Sequence, residues 1–334
     1  MIIQAKAPTR IDLAGGTIDI WPLYLMHYGA VTINIAIDLY ATVTLIPFHS
    51  KKIIIESKDQ NTILEISSAK KIPSFKALEL ILEIVRFYSP FQGFRLITNC
   101  AAPAGSGIGG SSALNIAVNG AMNCFTGNRY SRKEILTIAK NIEARVIGVP
   151  TGEQDYFSAL YGGANAIHLK DEGVTREKLQ MASKDLEKLL VLCFIGTPRA
   201  SGTNNWDIMK KHIDGNKGLY RKMESIKQTA LKMKEAVGKN RFNTVAKLIN
   251  EEWRNRKNLS QNVSSPKIEK IIKSAFLKGA EAAKICGAGG GGCLVLFVPP
   301  EKRKGVEETL VLQKCDILPF RIAQKGLAIS NKKN

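Results

Sequence analysis

Residues Pro103 to Ala113 read Pro-Ala-Gly-Ser-Gly-Ile-Gly-Gly-Ser-Ser-Ala, with four glycines and three serines in eleven positions. They stand between a strand-like run, Phe94 to Thr98, and a stretch that places Ala113, Ile116, Ala117, Gly120, Ala121 and Cys124 on one face at helical spacing. A glycine loop that opens a helix is an anion site, because glycine lets the backbone come close and the free helix N–H groups point at the negative charge. The pattern predicts a di- or triphosphate held by Pro103, Gly105, Ser106, Gly107, Ile108, Gly109, Gly110, Ser111 and Ser112. Serine hydroxyls at the mouth are of the type that reaches magnesium in phosphate loops. Gly105, Gly107 and Gly110 also satisfy the dinucleotide pattern GxGxxG. That site wants an acidic residue about 20 positions on, and residues 111–133 contain neither Asp nor Glu. No lysine follows the last glycine, which excludes a Walker A loop. The rival without a ligand is a tight strand-to-helix turn.

The elements that must carry this loop follow from the surrounding pattern. The first 66 residues read mainly as strands, with β-branched and apolar runs at Val43–Leu45, Ile53–Ile55 and Ile63–Ile66. Lys76 to Tyr88 has helical spacing, and Ser131-Arg132-Lys133-Glu134 is a capping box that starts a helix with Ile135, Ile138, Ala139, Ile142 and Val146 on its buried face. Gly148 and Pro150 end it, and Gly162-Gly163 turns into a strand running to Leu169. The character changes near Asp185. A buried strand, Leu189 to Ile195, precedes two or three lysine-rich helices from about Asn205 to Lys278, with Pro266 suited to a first helical turn. Strands are expected at Cys293–Val298 and Phe320–Ala323, a helix at Glu301–Lys314, and a frayed tail at Asn331–Asn334. The expected division is 1–184 and 185–334. No Pro- or Ser-rich linker separates the halves, which predicts tight packing with a cleft between them.

Bulk properties narrow the classes. A chain of 334 residues with 45% hydrophobic content has ample material for a core. Its N-terminus lacks the apolar stretch of a signal peptide, and the longest apolar run, Leu189–Ile195, is too short to span a bilayer. Six cysteines without CxxC spacing and four scattered histidines argue against a zinc site or a disulfide framework and for a reducing, cytoplasmic setting. The net charge of +19 attracts anions, but the lysines of the second half are not interleaved with aromatics, so neither nucleic acid nor membrane is an expected partner.

Three further motifs join the loop. They are Ala7-Pro8-Thr9-Arg10-Ile11-Asp12-Leu13-Ala14-Gly15-Gly16-Thr17-Ile18-Asp19, then Gly152-Glu153-Gln154-Asp155 with Gly162-Gly163, and last Cys286-Gly287-Ala288-Gly289-Gly290-Gly291-Gly292-Cys293. In this order and at these separations they resemble the GHMP kinases, the family of galactokinase, homoserine kinase, mevalonate kinase and phosphomevalonate kinase. The resemblance spans nearly the whole chain. It is strongest to the bacterial D-glycero-D-manno-heptose 7-phosphate kinase branch, through the Leu-Ala-Gly-Gly stretch, Val298 to Arg303 and Pro319-Phe320-Arg321.

The resemblance implies an α+β, two-lobed GHMP kinase fold. Its N-terminal lobe would be like domain 2 of ribosomal protein S5 and its C-terminal lobe ferredoxin-like, with ATP and a small alcohol meeting in the cleft. It assigns Asp155 as the catalytic carboxylate, Arg10 as the cation that pairs with it, Ser111 and Glu143 as holders of Mg²⁺, and Asp19 as the group that grips sugar hydroxyls, with Gly16, Thr17 and Gly289 shaping the acceptor pocket. Plain rivals exist: Glu143 as an exposed helix residue, Asp19 as a turn cap before Trp21-Pro22, Asp155 as the N-cap of the segment that follows it. Arg199, in a polar stretch after a buried strand, is either a contact for an acidic acceptor or part of a surface loop. Arginine at position 10 favours bidentate contact and a sugar over mevalonate. The absent galactokinase glutamate argues against galactose. Gly109 and Gly110 replace serines common in this loop. The implied function is ATP- and Mg²⁺-dependent phosphorylation of a sugar or sugar phosphate, best matched by D-glycero-D-manno-heptose 7-phosphate at its anomeric hydroxyl, in a monomer or homodimer. Alternatives are a GHMP kinase for a galactose-, fucose- or mevalonate-like acceptor, a non-catalytic ATP- or sugar-binding sensor, and an RNA-associated protein.

Overall fold

Near-continuous apolar runs build one large sheet from the N-terminal half. Its strands are β1 (Ile2–Ala14), β2 (Val31–Pro47), β3 (Ile53–Ser57), β4 (Thr62–Ile66), β5 (Phe94–Cys100), β6 (Ala164–Lys170) and β7 (Gly173–Leu179). A computed structural model describes residues 2–196 and 201–332, with the backbone alone for 201–204. A second, four-stranded antiparallel sheet holds β8 (Leu190–Phe194), β9 (Ala282–Ile285), β10 (Cys293–Phe297) and β11 (Asp316–Ile317) in the order β11-β8-β10-β9. The last strand, β12 (Ala328–Lys332), returns to the large sheet, whose order is β12-β1-β2-β5-β3-β4, with β6 paired to the first part of β2 and β7 paired to β6. The chain thus recrosses the expected division at residue 185.

Ten α-helices pack on these sheets among the described residues: α1 (Glu79–Tyr88), α2 (Gly110–Phe125), α3 (Arg132–Ile147), α4 (Gln154–Tyr161), α5 (Ser183–Leu189), α6 (Ser201–Ile213), α7 (Lys217–Gly238), α8 (Phe242–Lys257), α9 (Pro266–Leu277) and α10 (Arg303–Leu312). Helix α2 lies on β1 and β2 and is flanked by α1, α3 and α4, so it is buried on nearly all sides. Helices α7 and α8 pack against β1, and one apolar cluster runs from Ile11 and Ile33 through Ala230 and Leu248 to Val295. A separate cluster of Val191, Trp253, Ile268 and Val306 lies on the other face of the small sheet. The halves therefore share a core, as the missing linker leads one to expect.

The Ser131 capping box is present in full: its hydroxyl accepts the Glu134 N–H, and Glu134 accepts the Ser131 N–H at 2.8 Å. Three expectations change. The lysine-rich region forms four helices, because Gly215 (φ 82°) and Asn240 (φ 53°) break it where helical periodicity continues. Phe320–Ala323 is not a strand. Ile322 makes a single bridge to Ile37, and Ala323 bonds Ala36 and Gly163, so the segment fills the gap where β6 has left β2 and β5 has not yet joined it. Asn331 is not frayed, since it pairs with Ile3 in β12. Among the described residues no helix is long and apolar enough to cross a membrane.

Candidate active site

Chain segments distant in sequence meet at a cleft of about 420 Å³. Strand β1 supplies Arg10, whose backbone N–H donates to the Ile108 carbonyl at 2.9 Å and whose Nη1 donates to the Gly107 carbonyl at 2.7 Å. Its Nε donates to Asp155 Oδ1 at 2.7 Å, and Nη2 lies 2.7 Å from the same oxygen. Burial works against the Arg10 charge, but Asp155 and Asp12 outweigh it and raise its pKa. Asp155 stands in the first turn of α4, so it is a helix residue and not its N-cap. Burial pushes its carboxyl up, against the pull of Arg10. It retains 23% side-chain exposure while Arg10 retains 4%, so the carboxylate is the member of the pair open to the cleft.

The phosphate-type loop wraps over this pair. Gly109, at φ 78°, is the N-cap of α2, and a Cβ there would lie 3.3 Å from the Asp155 carboxyl carbon. The start of α2 therefore sits directly on the carboxylate. The glycine run after β9 braces the loop from behind: Cys293 N–H donates to the Ser106 carbonyl at 2.7 Å, and a Cβ on Gly292 would lie 2.5 Å from that oxygen.

Glu143, on α3, is buried at the wall. Its Oε2 accepts from Ser112 Oγ (3.0 Å), Asn115 Nδ2 (3.3 Å) and Tyr156 Oη (2.7 Å). Burial raises its pKa against these three donors and the Ser111 hydroxyl. With the exposed Ser111 hydroxyl at the same wall the donors are all oxygens, the type that magnesium takes. Asp19 is also buried. Its Oδ2 accepts the Gln154 N–H at 3.0 Å, so it caps the start of α4 rather than a turn of its own, and burial raises its pKa to about 7. Gly152 is needed beside it, because a Cβ there would lie 2.7 Å from Asp19 Oδ2.

Family models of the GHMP kinase N-terminal and C-terminal domains match residues 74–163 and 233–314. The D-glycero-alpha-D-manno-heptose 7-phosphate kinase of Campylobacter jejuni is 32% identical over 335 residues, covering 97% of this chain and 98% of that protein. The chain belongs to the GHMP kinase family. Among solved structures, a D-glycero-D-manno-heptose 1-phosphate kinase from Bacteroides thetaiotaomicron superposes with a TM-score of 0.81 at 26% identity, over 99% of this chain and 100% of that one. The galactokinase of Lactococcus lactis shares the fold, with a TM-score of 0.75 at 18% identity, over 98% and 95%. This GHMP kinase has the α+β, two-lobed architecture that the sequence motifs imply.

Of the residues singled out from the sequence of this GHMP kinase, Arg10, Thr17, Asp19, Pro103, Gly105, Ser106, Gly107, Gly109, Gly110, Ser111, Ser112, Glu143, Asp155 and Gly289 line the one cleft. Two do not. The Ile108 side chain is in the apolar core, and only its carbonyl serves the site. Gly16 packs under the turn, where a Cβ would lie 2.1 Å from Arg256 Nη1. Arg199 lies outside the described residues. Sequence reasoning missed a buried charge cluster. Asp12 Oδ2 accepts from Lys284 Nζ at 2.7 Å and from Arg256 Nη1 at 3.2 Å, and its Oδ1 accepts the Gly287 N–H at 3.1 Å. Lys284, Arg256 and Arg10 hold the Asp12 carboxyl below its usual range although burial opposes them. The only signal was Asp12 inside the first motif, since its partners are more than 240 positions away. The apolar lining from Leu80, Ile81, Ala102, Val149 and Pro150 was likewise invisible, because it combines three separate segments.

Proposed function

We propose that this GHMP kinase transfers the γ-phosphoryl group of ATP to a hydroxyl of a sugar phosphate, with D-glycero-D-manno-heptose 7-phosphate as acceptor and its anomeric hydroxyl as the site. One observation carries the reading: the Asp155 carboxylate is held by Arg10 directly beneath the helix start at Gly109. The named activity of the Campylobacter jejuni relative and full-length coverage of both chains support the acceptor.

Phosphoryl transfer asks for positioning and charge neutralisation more than for covalent chemistry. Amides of the 105–111 loop and the N-terminus of α2 face the phosphates, with Arg10 on the side of the transferred group. Asp155 orients the acceptor hydroxyl and takes its proton, and Asp19 accepts from a neighbouring sugar hydroxyl. Ser111 and Glu143 would hold Mg²⁺, which supplies charge neutralisation on the phosphate oxygens. The apolar lining around Leu80, Ile81 and Pro150 suits the adenine ring. We divide the chain functionally at 185, the first part carrying Arg10, the loop and Asp155, the second bracing them through the 286–293 run.

The test is ³¹P NMR of products after incubation with ATP, Mg²⁺ and a panel of heptose 7-phosphate, galactose, fucose and mevalonate. A new anomeric phosphate on heptose 7-phosphate alone is the expected result. Turnover of mevalonate with none of the sugars would overturn the acceptor, and ATP binding without turnover of any would favour a sensor.

A further inference from the structure

Thr17 is a β-branched residue at φ 74°, a left-handed conformation that strains such a side chain. It sits at the cleft beside Asp19, directly after Gly15 and Gly16, either of which tolerates that conformation far better. The strain is held from below. Arg256 Nη2 donates to Thr17 Oγ1 at 3.0 Å and also to the Gly287 carbonyl, while Nη1 faces Asp12 at 3.2 Å and Glu252 at 3.9 Å. Glu252 in turn accepts the Gly15 N–H at 3.1 Å, so the same cluster grips both ends of the turn. Arg256 is 2% exposed, and its charge is already met by two carboxylates, so it is not offered to a phosphate. A hydroxyl that accepts from a guanidinium has its own proton left to give. Among the described residues that hydroxyl donates to no protein acceptor, and it lies at the cleft.

We propose that Arg256 is a positioning residue for the acceptor: it holds the Thr17 turn and makes the Thr17 hydroxyl a hydrogen-bond donor. Asp19 beside it can only accept when ionised. The pair reads one donor and one acceptor on the bound molecule, the signature of neighbouring hydroxyls on a polyol. This inference deepens the reading above and rests on it, since it needs a sugar in the cleft next to Asp155.

The experiment compares wild type, Thr17→Gly, Arg256→Lys and the double variant. It reads acceptor KM, nucleotide KM and Tm with heptose 7-phosphate and ATP, and sugar binding by calorimetry without nucleotide. Thr17→Gly relieves the backbone, so Tm stays at or above the wild-type value, while acceptor KM rises about tenfold, the scale of one hydrogen bond. Arg256→Lys raises acceptor KM by a similar factor and leaves nucleotide KM within about twofold. The double variant is no worse than the poorer single one, because both act through one hydroxyl. Unchanged acceptor KM in Thr17→Gly, an equal rise in both KM values for Arg256→Lys, or losses that multiply would each overturn the proposal. Should Arg256→Lys fail to fold, Thr17→Gly decides alone. A wild-type protein that neither phosphorylates nor binds the sugar overturns both readings. Wild-type turnover with unaltered variant constants overturns only this one.

Discussion

Asp155 keeps one face toward the cleft while Arg10 grips one of its oxygens from within the fold. A carboxylate so held can align a hydroxyl without moving, which is the part of general-base catalysis that a folded protein supplies best. Asp155→Asn retains the shape and loses the proton acceptor, so kcat should fall about 10²–10⁴-fold with nucleotide KM little changed, as steady-state kinetics would show. Asp19 yields a pH prediction. Its folded pKa of about 7 lies above the ordinary value, so between about pH 4 and pH 7 the folded state binds more protons than the unfolded one. This residue's contribution to stability is therefore greatest at low pH and declines as pH rises through that window. Asp19→Asn removes the decline, and its Tm measured against wild type should increase from pH 4 to pH 7. Asp155, Arg10 and the serines of the loop were legible in the sequence, because each sits in a motif whose order and separations along the chain resemble those of the GHMP kinases. Arg256 and Lys284 were not, because a lone arginine or lysine in a basic chain carries no mark of burial.

At the scale of elements, the site depends on two glycine segments pressed together. The 103–111 loop cannot keep its path unless the 286–293 run passes within backbone distance of it, which leaves no room for a Cβ at Gly292 and little at Gly107. Gly292→Ala places a methyl 2.5 Å from the Ser106 carbonyl at φ 86°. The cost is of the order of 1–3 kcal/mol, and the loop must shift. We expect a lower Tm and a rise in nucleotide KM larger than that in acceptor KM. The sequence displays four successive glycines, Gly289 to Gly292. It had no means of naming the partner, Ser106, which lies 186 positions before Gly292. The additional helix breaks at Gly215 and Asn240 and the terminal strand β12 have the same origin. Periodicity reports which face of a segment is apolar, while turn residues and sheet edges decide where it stops.

For the whole molecule, the two sheets act as one body through Asp12 on β1 and Lys284 on β9. Both side chains are fully buried, and Arg256 and Glu252 complete the cluster. Removing one partner of a buried ion pair leaves an uncompensated charge and costs about 3–5 kcal/mol. Lys284→Met should therefore lower Tm strongly, read by calorimetry. Since the halves share an apolar core, wild-type protein should unfold in a single transition.

Local pattern and order along the chain were settled by the sequence alone: the glycine loop that opens a helix, the capping box at Ser131, the motif series and the family they mark. These depend on contacts between near neighbours or on residue types that few other roles select. Tertiary structure decided which of those groups meet. It placed Asp155 under the helix start at Gly109, turned Asp19 into the cap of α4, sent β12 back to the first sheet and buried Asp12 between two cations. Such meetings are set by the packing of whole elements, and packing energy is shared over many weak contacts that no short stretch of residues encodes.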